Sequence, residues 1–355
     1  MMHATPLEPL ELFHTALTSC EAPSSGISHS EVNTASPRLN QGRLLRQALN
    51  HHVLLCDGAM GSQVQALPLE VTADFWECEN CTEVLNLSRP DVVKGIHRAY
   101  LVAGADMVQT NSFGGSEITL GEFNLQAKTF EINETAARLA RETIIELQAA
   151  QEIEPQDLRP RFVLGSIGPG TKLPSLGHID YTALEASFFT QARGLLSGGI
   201  DGFLIETCQD PLQIKAAIQG TKRAKASNTQ FQDVPILVQV TVETTGTLLV
   251  GSDISAVVTI LESLDIDSLG LNCATGPAEM REHIQYLSQH WPHWISVQPN
   301  AGLPCLLQGK THYPLTPEEM VTHVQRFITQ NGVNLIGGCC GTTPAHIEAL
   351  HTMLS

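Results

Sequence analysis

Basic residues are scarce in this chain. Lysine and arginine number 20 against 37 aspartates and glutamates, a formal net charge of −17 over 355 residues. That balance argues against nucleic acid as a partner, because phosphates call for basic patches. The one short basic cluster, Lys222-Arg223-Ala224-Lys225, reads as a solvated helix face. Long apolar runs are lacking too, none reaching the roughly 18 residues that cross a bilayer. No basic head followed by an apolar core opens the chain, so neither a secretory signal nor a membrane partner is expected. No GxGxxG follows the first apolar run, which leaves a dinucleotide site without support. Cysteine, by contrast, is present nine times. An odd number in a long chain that is not disulfide-dense suggests a reducing cytoplasm, with thiols free or on metal.

Residues 1–43 stand apart, rich in Ser, Thr, Pro and His and without apolar periodicity. They are expected to form a mostly disordered arm with one short helix over 7–17. From residue 44 to 355 a regular alternation follows, read as one domain. Short apolar or β-branched runs occupy 53–56, 106–110, 162–166, 202–206, 236–242, 268–272, 295–298 and 335–338. Helical spacing fills 90–103, 129–149, 181–197, 211–226, 254–264, 277–290, 316–329 and 344–354. Proline opens several of these, as expected in a first helical turn. Eight strands alternating with helices fit an α/β fold of the (β/α)8 TIM-barrel type. An open doubly wound sheet is the alternative, since periodicity does not show closure.

In a barrel the chemistry sits at the C-terminal strand ends. Asp57, Asn111, Ser112, Glu206, Cys208, Cys273, Asn300, Cys339 and Cys340 all fall there. Cys339 and Cys340 are adjacent in a glycine-rich turn, Gly337-Gly338-Cys339-Cys340-Gly341, and Cys273 closes another run. Adjacent cysteines do not readily bond to each other. Both can reach one metal where the backbone turns, and soft thiolates favour zinc with one position open to substrate. Cys78-Glu79-Asn80-Cys81 has metal spacing but no second pair, and reads as a loop feature. Cys208 points to either mouth or core. The stretch 165–172 imitates a phosphate loop, yet Lys172 follows Thr171 and Pro169 removes an amide, so it reads as a strand-to-helix loop. Asp57 and Glu206 suit either an ammonium group or an internal cap or ion pair. His51, His52 and His346 are given no role, and no histidine cluster of the metal-hydrolase kind lies at strand ends.

Taken together, Asp57-Gly58-Ala59-Met60-Gly61-Ser62, Gln109-Thr110-Asn111-Ser112-Phe113, Gly165-Ser166-Ile167-Gly168-Pro169, Glu206-Thr207, Gly270-Leu271-Asn272-Cys273 and Gly337-Gly338-Cys339-Cys340-Gly341 resemble the homocysteine S-methyltransferase family. Within it, Pro299-Asn300-Ala301-Gly302-Leu303-Pro304 and Gly341-Thr342-Thr343-Pro344 are similar to the homocysteine-binding barrels of cobalamin-dependent methionine synthases. The resemblance spans about 44–355. It implies a zinc-bearing barrel in which the sulfur of homocysteine, held at zinc, attacks a methyl donor to give methionine. It further implies Cys273, Cys339 and Cys340 as zinc ligands. Asp57, Ser112 and Glu206 would hold the amino-acid end of homocysteine, with backbone amides near Gly58 and Ala59. Asn300 would take the fourth zinc position when substrate is absent. Ser112 and Ser62 stand where relatives carry threonine; each keeps the hydroxyl. The donor is left open, as no Asp-x-His-x-x-Gly cobalamin signature occurs. Methylcobalamin on a separate protein or module is the leading expectation, then S-methylmethionine or S-adenosylmethionine used by a stand-alone enzyme. A non-catalytic subunit that binds zinc and homocysteine is the reading of another class.

Overall fold

Parallel strands with helices on their outer side are buried on both faces, and the apolar runs meet that demand. The computed structural model describes residues 41–155, 158–307 and 310–355. Its strands are β1 (Leu54–Leu55), β2 (Met107–Gln109), β3 (Phe162–Ile167), β4 (Gly202–Cys208), β5 (Ile236–Val240), β6 (Ser268–Asn272) and β7 (Trp294–Gln298). A hairpin of β8 (Cys305–Leu307) and β9 (Lys310–His312) interrupts the series before β10 (Leu335–Ile336). Every residue of β3, β5 and β6 is buried. The eight-stranded sheet runs β1-β10-β7-β6-β5-β4-β3-β2, all neighbours parallel. A further parallel bridge from Cys56 to Met107 joins the two ends. The sheet therefore closes, and the open-sheet alternative falls away.

The long helices are α1 (Gln41–His51), α2 (Pro90–Val102), α3 (Thr129–Ala149), α4 (Tyr181–Gly198), α5 (Pro211–Ala226), α6 (Ile254–Leu261), α7 (Pro277–His290), α8 (Pro317–Asn331) and α9 (Pro344–Leu354). Side-chain caps fix several starts. Asp180, Asp210 and Asp253 accept from the first-turn amides of α4, α5 and α6, and Thr316 forms a capping box with Glu319 on α8. No helix among the described residues is long and apolar enough to cross a membrane. The arm expected over 1–43 lies outside the described residues as far as residue 40, as does the helix expected over 7–17. Residues 41–43 already belong to α1.

Helix α1 seals the N-terminal end of the barrel. Its Leu45 and Leu49 join Leu54, Met107, Leu164, Leu204, Leu237 and Leu335 in one buried cluster. Arg46 pairs with Asp267, just ahead of β6. Above this apolar floor the interior becomes polar. Side chains two apart on a strand share a face, so Leu164 is followed inward by Ser166, Leu204 by Glu206 and Leu237 by Gln239. Gly270 on β6 leaves no room for more than hydrogen there, because a Cβ would fall 2.1 Å from the Ser296 carbonyl oxygen.

A repeated device sets the strand register. The residue before each even barrel strand turns its side chain to the first amides of the preceding one. Asp106 accepts from the Leu55 N–H (2.9 Å), Asp201 from Val163 (2.7 Å), Asp267 from Ile236 (2.8 Å) and Asn334 from Ile295 (3.0 Å). Asp201 is buried and also pairs with Arg141 at 2.5 Å. Asp201→Ala should therefore cost about 3–5 kcal/mol, from an uncompensated guanidinium and an unpaired amide. Asp201→Asn keeps an acceptor and should cost clearly less. Urea midpoints of the two variants against wild type check this; equal losses would contradict it.

Candidate metal and substrate site

Two of the strand ends carry the three sulfur atoms. Strands β6 and β10 both neighbour β7 in the sheet, so Cys273 after β6 and Cys339 and Cys340 after β10 open onto one mouth. Their sulfur atoms lie within 4.8 Å of one another. Cys273 and Cys340 are 3.8 Å apart, Sγ to Sγ. Two thiolates on one tetrahedral zinc, with bonds near 2.3 Å, would be separated by about 3.8 Å. The donor set and its spacing thus fit a soft metal ion. Without a cation the three cannot all ionise. Hydrogen bonds from Cys273 and Cys339 hold the Cys340 thiol well below the ordinary thiol range. Those given to Cys273 and Cys340, with burial, push Cys339 well above the ordinary thiol range.

The backbone around the thiols is held firmly. Cys273 and Ala274 have φ of +60° and +54°, a left-handed pair that costs non-glycine residues of order 1–2 kcal/mol each. Cys339 N–H donates to Pro299 O (2.8 Å), and Ala301 N–H to Cys340 O (2.9 Å). The Thr342 hydroxyl donates to Cys339 O (2.7 Å) and accepts from Ala59 N–H (3.1 Å). Ser62 accepts from Gly341 N–H (3.1 Å). The double-cysteine turn is thereby tied to the loops after β1 and β7.

A cavity of about 270 Å³ opens beside the thiols, lined among others by Gly58, Ala59, Ser112, Glu206, Cys273, Cys339 and Cys340. Glu206 is buried; it accepts from the Ser166 hydroxyl (2.5 Å) and from Asn272 Nδ2 (3.3 Å). Burial pushes its carboxyl up to about 7, offset in part by the Ser166 bond. Asp57 is buried as well, but it does not line the cavity. Its oxygens accept from Gln109 Nε2 (2.9 Å) and Gln109 N–H (3.0 Å), and Gln109 meets the cavity in its place. Burial also pushes Asp57 up to about 7. The Ser112 hydroxyl donates to Ser166 O at 2.7 Å. Asn300 is buried in the loop between Pro299 and Ala301, off the cavity wall, with no hydrogen-bond partner for its Oδ1 among the described residues.

The other sequence candidates go elsewhere. Cys78 donates to Trp76 O (3.4 Å), and buried Cys81 faces Glu83 (3.9 Å). Neither belongs to a metal-holding group among the described residues. Cys208 turns into the core. Of the stretch 165–172 only Ser166 reaches the cavity, and the Pro169 and Lys172 carbonyls are taken by Gln213. His51 and His52 are exposed at the end of α1, while His346 caps α9. Gln109, Asn272 and Gln298 line the cavity without having been singled out. Their signal was available: each stands at the C-terminal end of a strand, two residues beyond an inward position.

The model of the homocysteine S-methyltransferase family matches residues 54–354. Methionine synthase of Mycobacterium tuberculosis is 47% identical over 304 residues, covering 86% of this chain and 25% of that protein. Methionine synthase of Mycobacterium leprae is likewise 47% identical over 304 residues, 86% of this chain and 24% of the relative. The chain thus spans about a quarter of the length of these curated relatives. Among solved structures, the metallated homocysteine methyltransferase MmuM of Escherichia coli superposes with a TM-score of 0.68 at 22% identity, covering 88% of this chain and 99% of that one. Its oxidised form gives 0.67 at 21%, covering 88% and 99%. At these identities the likeness bears on the barrel fold.

The raised carboxyls carry a pH dependence. Glu206 keeps its proton to about pH 7 when folded, against 4.5 ordinarily, so the folded chain binds the extra proton between those values. The stability this lends is full below about pH 4.5 and is lost as pH rises through 7. Metal-free Glu206→Gln should therefore lose less stability than metal-free wild type between pH 5 and 7.5. Parallel denaturation midpoints across that range would contradict the assignment.

Proposed function

The chain belongs to the homocysteine S-methyltransferase family, and on that premise we propose that it methylates the sulfur of homocysteine to give methionine, with zinc on Cys273, Cys339 and Cys340. The observation that carries this reading is the meeting of three sulfur atoms within 4.8 Å at a cavity that Glu206 also lines. Zinc, when bound, supplies a cation that lowers the pKa of a fourth sulfur, that of the substrate.

The chain's own residues do the rest. Glu206, as carboxylate, accepts the substrate ammonium, and the Ser166 hydroxyl fixes its orientation. Asp57 acts through Gln109, whose amide it holds toward the cavity. Ser112, Gly58 and Ala59 border the amino-acid end. Asn300 is the residue we assign to the fourth metal position in the absence of substrate. The substrate sulfur then forms the new S–C bond while the bond from methyl to donor breaks, and the donor departs with that electron pair. No protein group needs to take the methyl.

For the donor we favour methylcobalamin carried by a separate protein or module, with 47% identity to methionine synthases as support. The reaction needs all three thiols reduced, which suits a reducing cytoplasm. Residues 44–355 would form the homocysteine-binding domain. Methionine formation from homocysteine with methylcobalamin, S-methylmethionine or S-adenosylmethionine, each offered in turn, tests the reading. Turnover with methylcobalamin supports it in full, and turnover with a sulfonium donor alone overturns the donor assignment. Homocysteine binding without turnover on any donor would point to a binding subunit.

Two variants separate the parts. Cys339→Ala should lose most of its zinc and all methyl transfer while remaining folded; retained activity would contradict the ligand set. Glu206→Gln should keep one zinc per chain and bind homocysteine about 10–100-fold more weakly, the worth of one charge-assisted hydrogen bond. Equal loss of zinc and homocysteine would make Glu206 structural.

A further inference from the structure

Strand β4 does not pair regularly with β5. Ile205 stands opposite Val238 and Cys208 opposite Val240, so three steps on β4 match two on β5. The extra residue falls at Glu206-Thr207, and Thr207 has φ of +58°. A β-branched residue is a genuine outlier in that region. Such strain persists only where the surroundings impose it. The bulge has a visible effect. Leu204 and Glu206 face the barrel interior, whereas Cys208, which strict alternation would also turn inward, joins the outer core.

One side chain on β6 meets every part of this arrangement. Asn272 Oδ1 accepts from the Thr207 N–H at 2.9 Å. Its Nδ2 donates to the Thr207 hydroxyl (2.8 Å) and to Glu206 Oε2 (3.3 Å), and lies 4.0 Å from Cys339 Sγ. Asn272 is itself buried, and its carbonyl accepts from the Thr241 hydroxyl at 2.9 Å. The amide therefore pins the left-handed residue from both its backbone and its side chain. From the same atoms it reaches the carboxyl that the bulge aims and one of the three thiols.

We propose that Asn272 is a positioning residue that holds the strained β4 bulge in place and so keeps Glu206 aimed at the cavity, in register with the thiol cluster. The inference rests on the functional reading above, in which Glu206 receives the substrate ammonium. Asn272 acts through Glu206, without touching the reacting atoms. Glycine adopts positive φ without strain, so a glycine at position 207 no longer needs the amide.

The test uses the full chain loaded with zinc, in three forms: wild type, Asn272→Ala, and Asn272→Ala with Thr207→Gly. Homocysteine affinity is read by calorimetry, zinc per chain by metal analysis, and folding by thermal melting. Asn272→Ala is expected to keep its zinc and bind homocysteine about tenfold more weakly, as strain of this order would produce. Adding Thr207→Gly should recover about threefold or more, which a mere packing role for Asn272 would not allow. Unchanged affinity in Asn272→Ala overturns the inference, and so does a deficit that glycine leaves untouched. If Asn272→Ala does not fold, a cooperative melt regained in the double variant supports the inference, and its absence overturns it. Zinc-loaded wild type that binds no homocysteine would instead overturn the functional reading itself.

Discussion

Three sulfur atoms within 4.8 Å set the terms for this molecule. Like charges at that distance repel strongly in a partly buried site, and the hydrogen bonds among the thiols lower Cys340 while they raise Cys339. Sulfurs that are 67 residues apart in sequence meet because the strands that carry them both pair with β7. That pairing puts β6 and β10 on either side of β7, and the turns after them must bend inward. The left-handed pair Cys273-Ala274 and Gly341, with φ of +78°, supply that bend. Barrel geometry, loop strain and thiol chemistry are one problem with one solution.

The interior is graded to match. An apolar floor of leucines sealed by α1 gives way, one turn of alternation higher, to Ser166, Glu206, Gln239 and Gln298. Two carboxyls are buried in that upper layer, and both keep their protons to about pH 7 in the free protein. Asp57 is committed to Gln109. Glu206 stays at the cavity wall, where a cationic ligand would offset the cost of its charge.

Much of this could be read from residues alone. Proline starts and apolar periods located α2, α3, α5, α7 and α9 to within a residue, since those signals are local. Closure was not legible, because a bridge between Cys56 and Met107 leaves no mark in periodicity. The hairpin of β8 and β9 escaped notice, its strands being exposed where described and so without an apolar pattern. Strand ends ran short of expectation where glycine took over, as β10 stops at Ile336. At the site, the thiol set stood out by residue type, and its convergence followed from the fold. The standing of Asp57 behind Gln109 did not, because which of two neighbours reaches the cavity depends on side-chain pairing. The β4 bulge was equally hidden, and with it the direction of Cys208.

X-ray absorption at the zinc edge, on protein with and without homocysteine, decides whether the three thiols form a zinc site with one position open to substrate sulfur. Three sulfur neighbours are expected in the free protein and four once homocysteine is added. Zinc that keeps the same sulfur count in both states, or protein purified under reducing conditions that holds no zinc, would contradict that expectation.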